Sequence, residues 1–179
     1  MLSSFTGITK IFLALLCLRA LIQSYLELRN KKSIYANLKA VPEQFADSIS
    51  LEEHTKACNY SLDQINSGKF FRPFNLLILL GWTVLGGLQL LENFTLSLTS
   101  NETLQVLFFI SIFSFISLLL GLPQSIYRTF VLEEKYGFNK TTPKLFIIDM
   151  IKMICISALI GLPLFYAIIL IMKNLGQSW

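Results

Sequence analysis

Four long apolar runs, separated by polar segments, dominate the sequence of this 179-residue chain. They cover about residues 8–28, 74–92, 104–122 and 145–172, and each is long enough for a helix that crosses a bilayer. Because the apolar residues come in blocks and do not alternate with polar ones, the pattern predicts an all-α integral membrane protein. We expect a single membrane domain, residues 1–179, with about four transmembrane helices.

The polar segments between these runs predict the orientation of the helices. Segment 29–73 contains seven Lys or Arg residues, segment 123–144 contains four, and segment 93–103 contains none. Basic residues accumulate on the cytoplasmic side of membrane proteins. We therefore expect cytoplasmic loops at 29–73 and 123–144, with both termini outside. The pattern fits a bacterial inner membrane and an endoplasmic reticulum membrane equally well.

The first apolar run carries a polar stripe. Arg19, Gln23 and Glu27 recur every fourth residue and share one helix face. A charge at the centre of a bilayer costs about 2.5–3.5 kcal/mol, so we expect this face to point to other helices or to water. The alternative is that Arg19 snorkels to the headgroups. Ala20–Ser24 offers no small-x-small cleavage site, which favours a retained helix over a signal peptide.

The long segment 29–73 is predicted to contain a helix of its own. Ser50 and Glu53 have the spacing of a capping box, and Ser67-Gly68 should end the helix after about Asn66. Apolar residues on one side of this helix predict that it is amphipathic; they are Leu51, Ala57 with Cys58, Leu62 and Ile65. His54 and Cys58 lie one turn apart and could both bind a metal, but without a third ligand a structural role is favoured.

The remaining runs carry a few polar or helix-breaking residues. The Gly86-Gly87 pair should allow close approach of another helix, and Pro123 should end the third helix. Asp149 and Lys152 are three residues apart, and we favour a local ion pair over a functional polar pair. Pro163 predicts a kink in the last helix, which at about 42 Å would exceed the hydrocarbon thickness of about 30 Å.

Composition agrees with a membrane protein and excludes other classes. The chain is 54% hydrophobic and 15% charged, whereas soluble domains average about 25% charged residues. The net charge is +4, but the basic residues alternate with apolar runs and form no continuous basic face. This argues against a nucleic-acid partner and predicts the lipid bilayer as the partner of the chain. The three scattered cysteines, Cys17, Cys58 and Cys155, indicate neither a disulfide framework nor a zinc knuckle.

The polar segment between the third and fourth runs combines charged residues, aromatic residues and a glycine within a few positions. Glu133, Glu134 and Lys135 would solvate a helix end, and Gly137 can adopt the positive φ that ends one. Aromatic residues flank the turn at the interfacial depth they favour. This composition predicts an ordered interfacial loop.

The sequence of this segment resembles a signature of the type I CAAX prenyl proteases, which are membrane zinc metalloendopeptidases. The matching residues are Phe130-Val131-Leu132-Glu133-Glu134-Lys135-Tyr136-Gly137-Phe138-Asn139-Lys140-Thr141. Further stretches resemble the same family in the same order. They are Tyr25-Leu26 with Arg29, Val41-Pro42-Glu43, Ile49–His54 with Lys56-Ala57 and Tyr60, and Leu80-Gly81-Trp82. The resemblance covers about residues 25–152, but the zinc motif H-E-x-x-H of the family is absent from the sequence.

The resemblance implies a seven-helix fold around a water-filled chamber, of which this chain would supply the front part of the wall. The zinc site would lie in a later part of the protein, which would cleave prenylated CAAX proteins or membrane peptides. The chain alone, with one histidine, should hold no zinc and be catalytically inert. We expect Glu133, Glu134, Lys135, Gly137, Phe138 and Asn139 to hold the zinc-bearing helices in register. The candidate chamber-lining polar residues are Arg19, Gln23, Glu27, Asp149 and Lys152.

Two other classes of function remain open from the sequence. A four-helix membrane scaffold or regulator could keep this fold without peptidase chemistry. A small transporter is suggested by Arg19 and Lys152, which lie within apolar runs. An H-E-x-x-H motif further along the reading frame would favour the protease.

Overall fold

The computed structural model describes residues 6–45 and 47–175, and these residues are mainly helical. In this part of the chain there are five α-helices: α1 Gly7–Asn37, α2 Leu51–Thr83, α3 Gly87–Leu98, α4 Glu102–Tyr127 and α5 Pro143–Leu175. A 3₁₀ turn, Glu43–Phe45, lies between α1 and α2, and a π-helical segment, Arg128–Glu133, follows α4. The chain divides into two compact units, Met1–Leu77 and Ile78–Trp179, which are described separately below.

In the first unit, α1 does not end near residue 28 as expected but continues to Asn37. Thr6 caps its start, with its side-chain oxygen accepting a hydrogen bond from the Thr9 amide at 3.3 Å. The residues beyond the apolar run include Arg and Lys, which are good helix formers, and residues 29–41 contain neither Gly nor Pro. The polarity that suggested a loop therefore indicates only where α1 leaves the apolar run.

Helix α2 begins with the predicted capping box. The Glu53 amide donates to Ser50 Oγ at 3.2 Å, and the Ser50 amide donates to Glu53 Oε2 at 3.0 Å. The expected end at Ser67-Gly68 is wrong, because α2 passes through Gly68 and Pro73 and reaches Thr83. The Arg72 guanidinium folds over Gly68, where a Cβ atom would collide with it. The helix predicted between Ser50 and about Asn66 is thus the first half of a longer helix, and its amphipathic character remains a prediction.

The Gly86-Gly87 pair breaks the helix instead of opening a packing face within it. Gly86 has a φ of 83°, in the left-handed region that glycine tolerates. A Cβ atom on Gly87 would lie 2.7 Å from the carbonyl oxygen of Gly81, so the chain passes too close to itself for any side chain there. Helices α2 and α3 are bent by 51° at this break.

In the second unit, α4 and α5 lie side by side in opposite directions. The Lys173 ammonium, near the end of α5, lies 3.2 Å from a carboxylate oxygen of Glu102 at the start of α4. At the opposite ends, the Phe130 and Phe146 rings meet edge to face at 5.4 Å. Pro123 was expected to end α4, but the helix continues to Tyr127 and then into the π-helical segment.

Few of the described side chains are buried in either unit. Leu62 and Phe71 are buried in the first unit; Leu91, Thr95, Leu132 and Tyr136 are buried in the second. Large apolar side chains are mostly exposed, with Leu159 at 76% exposure. Three helical stretches are long and apolar enough to cross a membrane, namely Gly7–Asn37, Glu102–Glu133 and Pro143–Leu175, and the bent pair α2–α3 makes a fourth candidate. The predicted class, an all-α multi-pass membrane protein, is confirmed.

Candidate functional site

The segment between α4 and α5, residues 128–141, folds into a compact structure that we call the acidic turn. The amides of Gly137 and Phe138 donate to the carbonyls of Glu134 and Glu133, at 3.0 and 2.8 Å. Gly137 has a φ of 69°, which confirms the predicted helix end at this residue. The turn is therefore closed by its own backbone.

The acidic side chains of the turn are held within it. Asn139 Nδ2 donates to Glu134 Oε2 at 2.8 Å, and Asn139 Oδ1 accepts from the Thr141 amide at 2.7 Å. The Arg128 guanidinium donates to Glu133 Oε1 at 3.1 Å. Both carboxylates thus have charged or polar partners a few residues away.

Apolar side chains anchor the turn. Leu132 is 4% exposed and Tyr136 is 9% exposed. Phe138 is 49% exposed and stacks on Tyr136 with ring centres 6.3 Å apart, while the Lys135 ammonium lies 5.4 Å from the Tyr136 ring centre. One ring is therefore packed inside and its neighbour is left on the surface.

A second polar region lies in the first unit, where side chains join α1 to α2. We call it the polar ladder. An ion pair joins Arg72 to Glu27, whose side chains are 32% and 20% exposed, and the Lys31 ammonium donates to Asn66 Oδ1. Of the predicted stripe in α1, Glu27 thus acquires a partner, whereas Arg19 and Gln23 are exposed. Their predicted place on a chamber wall remains a prediction.

The ladder ends at His54. His54 Nε2 lies 2.9 Å from the Asn37 carbonyl oxygen and 3.6 Å from Cys58 Sγ. Among the described residues there is no group of three or more His, Cys, Asp or Glu side chains that could hold a metal ion. Two ligands on one helix do not make a zinc site. In this structure His54 links the start of α2 to the end of α1.

Asp149 and Lys152 form the local ion pair that their spacing predicts, with Nζ and Oδ1 3.5 Å apart. Both side chains are more than half exposed. Sequence reasoning missed the partners of the polar ladder, Asn66 and Arg72. Only their positive charge or polarity was visible, and nothing local indicated which residues of α1 they would meet.

Comparisons with known proteins agree on one family. Residues 31–179 match the family model described as CAAX prenyl protease N-terminal, five membrane helices. The described part of this chain has three candidate spans, or four with the bent pair. The chain is 34% identical over 174 residues to the CAAX prenyl protease 1 homolog of Oryza sativa subsp. japonica, covering 91% of this chain and 40% of that protein.

Two further matches come from yeasts. The chain is 32% identical over 154 residues to CAAX prenyl protease 1 of Saccharomyces cerevisiae, covering 80% of this chain and 34% of that protein. The crystal structure of S. mikatae Ste24p matches with a TM-score of 0.72 and 31% identity, over 86% of this chain and 38% of that one. The chain thus spans about two fifths or less of the length of these relatives.

Proposed function

The chain belongs to the CAAX prenyl protease N-terminal family, and we propose that it forms the front part of a substrate chamber in a membrane zinc metalloendopeptidase. It is the N-terminal membrane region of that family. In the proposed protein it acts with a zinc-bearing catalytic part in the cleavage of prenylated or membrane-associated substrates. The observation that carries the proposal is the likeness in fold to Ste24p over 86% of the chain, at 31% identity.

The described residues support a structural role for this region within such an enzyme. The described residues hold no group of three or more His, Cys, Asp or Glu side chains that could bind a metal ion, and the proposal assigns the zinc chemistry to a later part of the protein. What this chain supplies is a set of membrane helices and the closed acidic turn. In the proposal, Glu133, Glu134 and Asn139 shape the turn, and Lys135, Gly137 and Phe138 complete the surface against which the zinc-bearing helices pack.

The polar stripe of α1 is the proposed contact with the chamber. Gln23 lies on the stripe, whereas Leu21, two residues away and 69% exposed, lies on a different face of the helix. In a water-filled chamber Gln23 would face water and Leu21 would face lipid. Asp149 and Lys152, both more than half exposed, are proposed to line the chamber from α5.

The proposal can be tested by cysteine labelling of an enzyme in lipid. The region of the Saccharomyces cerevisiae relative that matches this chain is replaced by residues of this chain, including α1, in a cysteine-free background. We expect a water-soluble maleimide to label Gln23→Cys and to leave Leu21→Cys unlabelled. Cleavage of a prenylated peptide by the same chimera is the functional readout.

The same experiment tests the proposed topology. Cysteines at Asn37 and Lys140 should react from the cytoplasmic side, and one at Ser97 from the opposite side. Residues 1–5 and 176–179 of the predicted outer termini lie outside the described residues. The proposed chamber would be contradicted if the chimera inserts and binds zinc but cleaves no peptide, and if neither Gln23→Cys nor Leu21→Cys is labelled. That result would favour a membrane scaffold. Localisation of the natural protein in its cell distinguishes an endoplasmic reticulum membrane from a bacterial inner membrane.

A further inference from the structure

Positive charge is concentrated where α1 and α2 leave their apolar runs. Residues 27–32 and 66–72 contain a single carboxylate, Glu27, which pairs with Arg72. They contain five cations, Arg29, Lys31, Lys32, Lys69 and Arg72, which we call the basic cluster. Four of the five cations therefore have no carboxylate to match them within these two stretches.

Two members of the cluster come close together from different helices. The Lys31 ammonium of α1 donates to Asn66 Oδ1 of α2, and Lys69 follows Asn66 at i+3 on α2, so Asn66 and Lys69 are neighbours on the surface of that helix. Like charges brought together by a fold are unfavourable unless an anion lies between them. Since Lys31 belongs to α1 and Lys69 to α2, an anion bound by both would also fasten the two helices to each other.

The depth of the cluster indicates the kind of anion. The apolar run of α1 ends at about residue 28, and that of α2 begins at about residue 74. The cluster directly adjoins both ends, at the level where phospholipid phosphates lie beside a spanning helix. Basic pockets between helices on the cytoplasmic side are a known way of binding anionic headgroups. Acyl chains would continue along the exposed apolar side chains of α1, such as Leu26 and Ile22.

We propose that Lys31 and Lys69 bind the phosphate of an anionic phospholipid headgroup between α1 and α2. Arg29 and Lys32, exposed on the same stretch of α1, add long-range attraction for the anionic surface. Arg72 stays with Glu27 and holds the two helices in place around the lipid. The site does not depend on the protease function proposed above.

The test uses the whole chain, purified in detergent and stripped of lipid. Binding of dioctanoyl phosphatidic acid, dioctanoyl phosphatidylcholine and inorganic phosphate is compared by native mass spectrometry and by thermal unfolding. We expect phosphatidic acid to bind more tightly than phosphatidylcholine and to raise the unfolding temperature, with inorganic phosphate having little effect. Lys31→Gln with Lys69→Gln should weaken phosphatidic acid binding about tenfold or more.

Two matched variants keep the result interpretable. Lys140→Gln with Lys144→Gln removes the same charge from the other predicted cytoplasmic segment and should leave binding unchanged. Lys31→Arg with Lys69→Arg keeps the charge and should retain binding, which separates loss of the site from misfolding. Equal losses in the two Gln variants, equal binding of the two lipids, or equal stabilisation by inorganic phosphate would each overturn the proposed lipid site.

Discussion

The acidic turn and the polar ladder both lie in segments with a cytoplasmic charge signature, yet contacts of very different range hold them together. In the acidic turn the bonding side chains are two to five residues apart, as in Asn139 with Thr141 and Glu134. In the polar ladder, Glu27 and Arg72 are 45 residues apart, and Lys31 and Asn66 are 35 apart. The hydrogen bonds of the turn can therefore form between neighbours in sequence, whereas the ladder exists only when α1 and α2 are already side by side.

This difference determines what mutations in each region should report. A change inside the turn alters a local shape and should leave the rest of the fold intact. A change in the ladder alters how two long helices are joined and should appear as a loss of stability. Three experiments test this separation.

The largest effect should come from the acidic turn in a catalytically complete enzyme. Glu134→Gln with Asn139→Ala removes the 2.8 Å bond between these side chains. Under the proposed function we expect cleavage of a prenylated peptide to fall about 10–100-fold, as for other groups that support a metal site indirectly. Membrane insertion and the unfolding temperature should change little, since the turn is closed mainly by its own backbone.

Lys140→Gln is the matched control, because Lys140 is an exposed residue of the same turn. It should leave turnover near that of the parent. A double variant with full turnover would mean that the acidic turn is only a connector. A double variant that fails to insert would contradict the independence of the turn from the rest of the fold.

The same contrast explains how much of the molecule could be predicted from the sequence. The capping box at Ser50 and the positive φ of Gly137 depend on neighbours within a few residues, and both were predicted correctly. The extension of α2 through Gly68 was not predicted, because a glycine in a polar stretch was expected to end the helix. In the structure the Arg72 side chain lies over this glycine, and Arg72 pairs with Glu27 on another helix, a contact that the local sequence does not indicate.

Side-chain partners across long separations were not predictable for the same reason. The stripe Arg19, Gln23 and Glu27 was visible as a helix face, but its spacing could not indicate that Glu27 would meet Arg72. Likewise, the left-handed Gly86 could be recognised as a permissive residue, while the 51° bend at that break depends on how the following helix packs. Residues close in sequence determine the turns and helix caps, whereas tertiary packing determines the long-range side-chain partners and the bend between helices.

A smaller effect should come from the ion pair of the polar ladder. A double-mutant cycle with Glu27→Gln and Arg72→Met should give a coupling of about 1–2 kcal/mol in the free energy of unfolding. That lies between the values typical of exposed pairs and of buried pairs, because the two side chains are 20% and 32% exposed. Unfolding in a mixture of detergent and SDS measures this coupling.

The Asp149–Lys152 pair, which is more than half exposed, should couple by no more than about 0.5 kcal/mol. Equal couplings would mean that burial does not distinguish the two ion pairs.

The smallest effect concerns the capping box at the start of α2, which is local in range but belongs to the same unit as the ladder. The Ser50 amide, and then the Ser50 hydroxyl, donate to the Glu53 carboxylate and lower its pKa. A lowered folded-state pKa contributes stability that is present above the ordinary value of about 4.3 and is lost as the pH falls through the folded value.

We therefore expect the amide of Glu53, which donates to Ser50 Oγ, to exchange faster at pH 3 than at pH 6 after correction for the intrinsic rate. Glu53→Gln retains an acceptor that does not titrate, so its protection should not change over this range. An identical pH response in the parent and in Glu53→Gln would place the titrating group elsewhere.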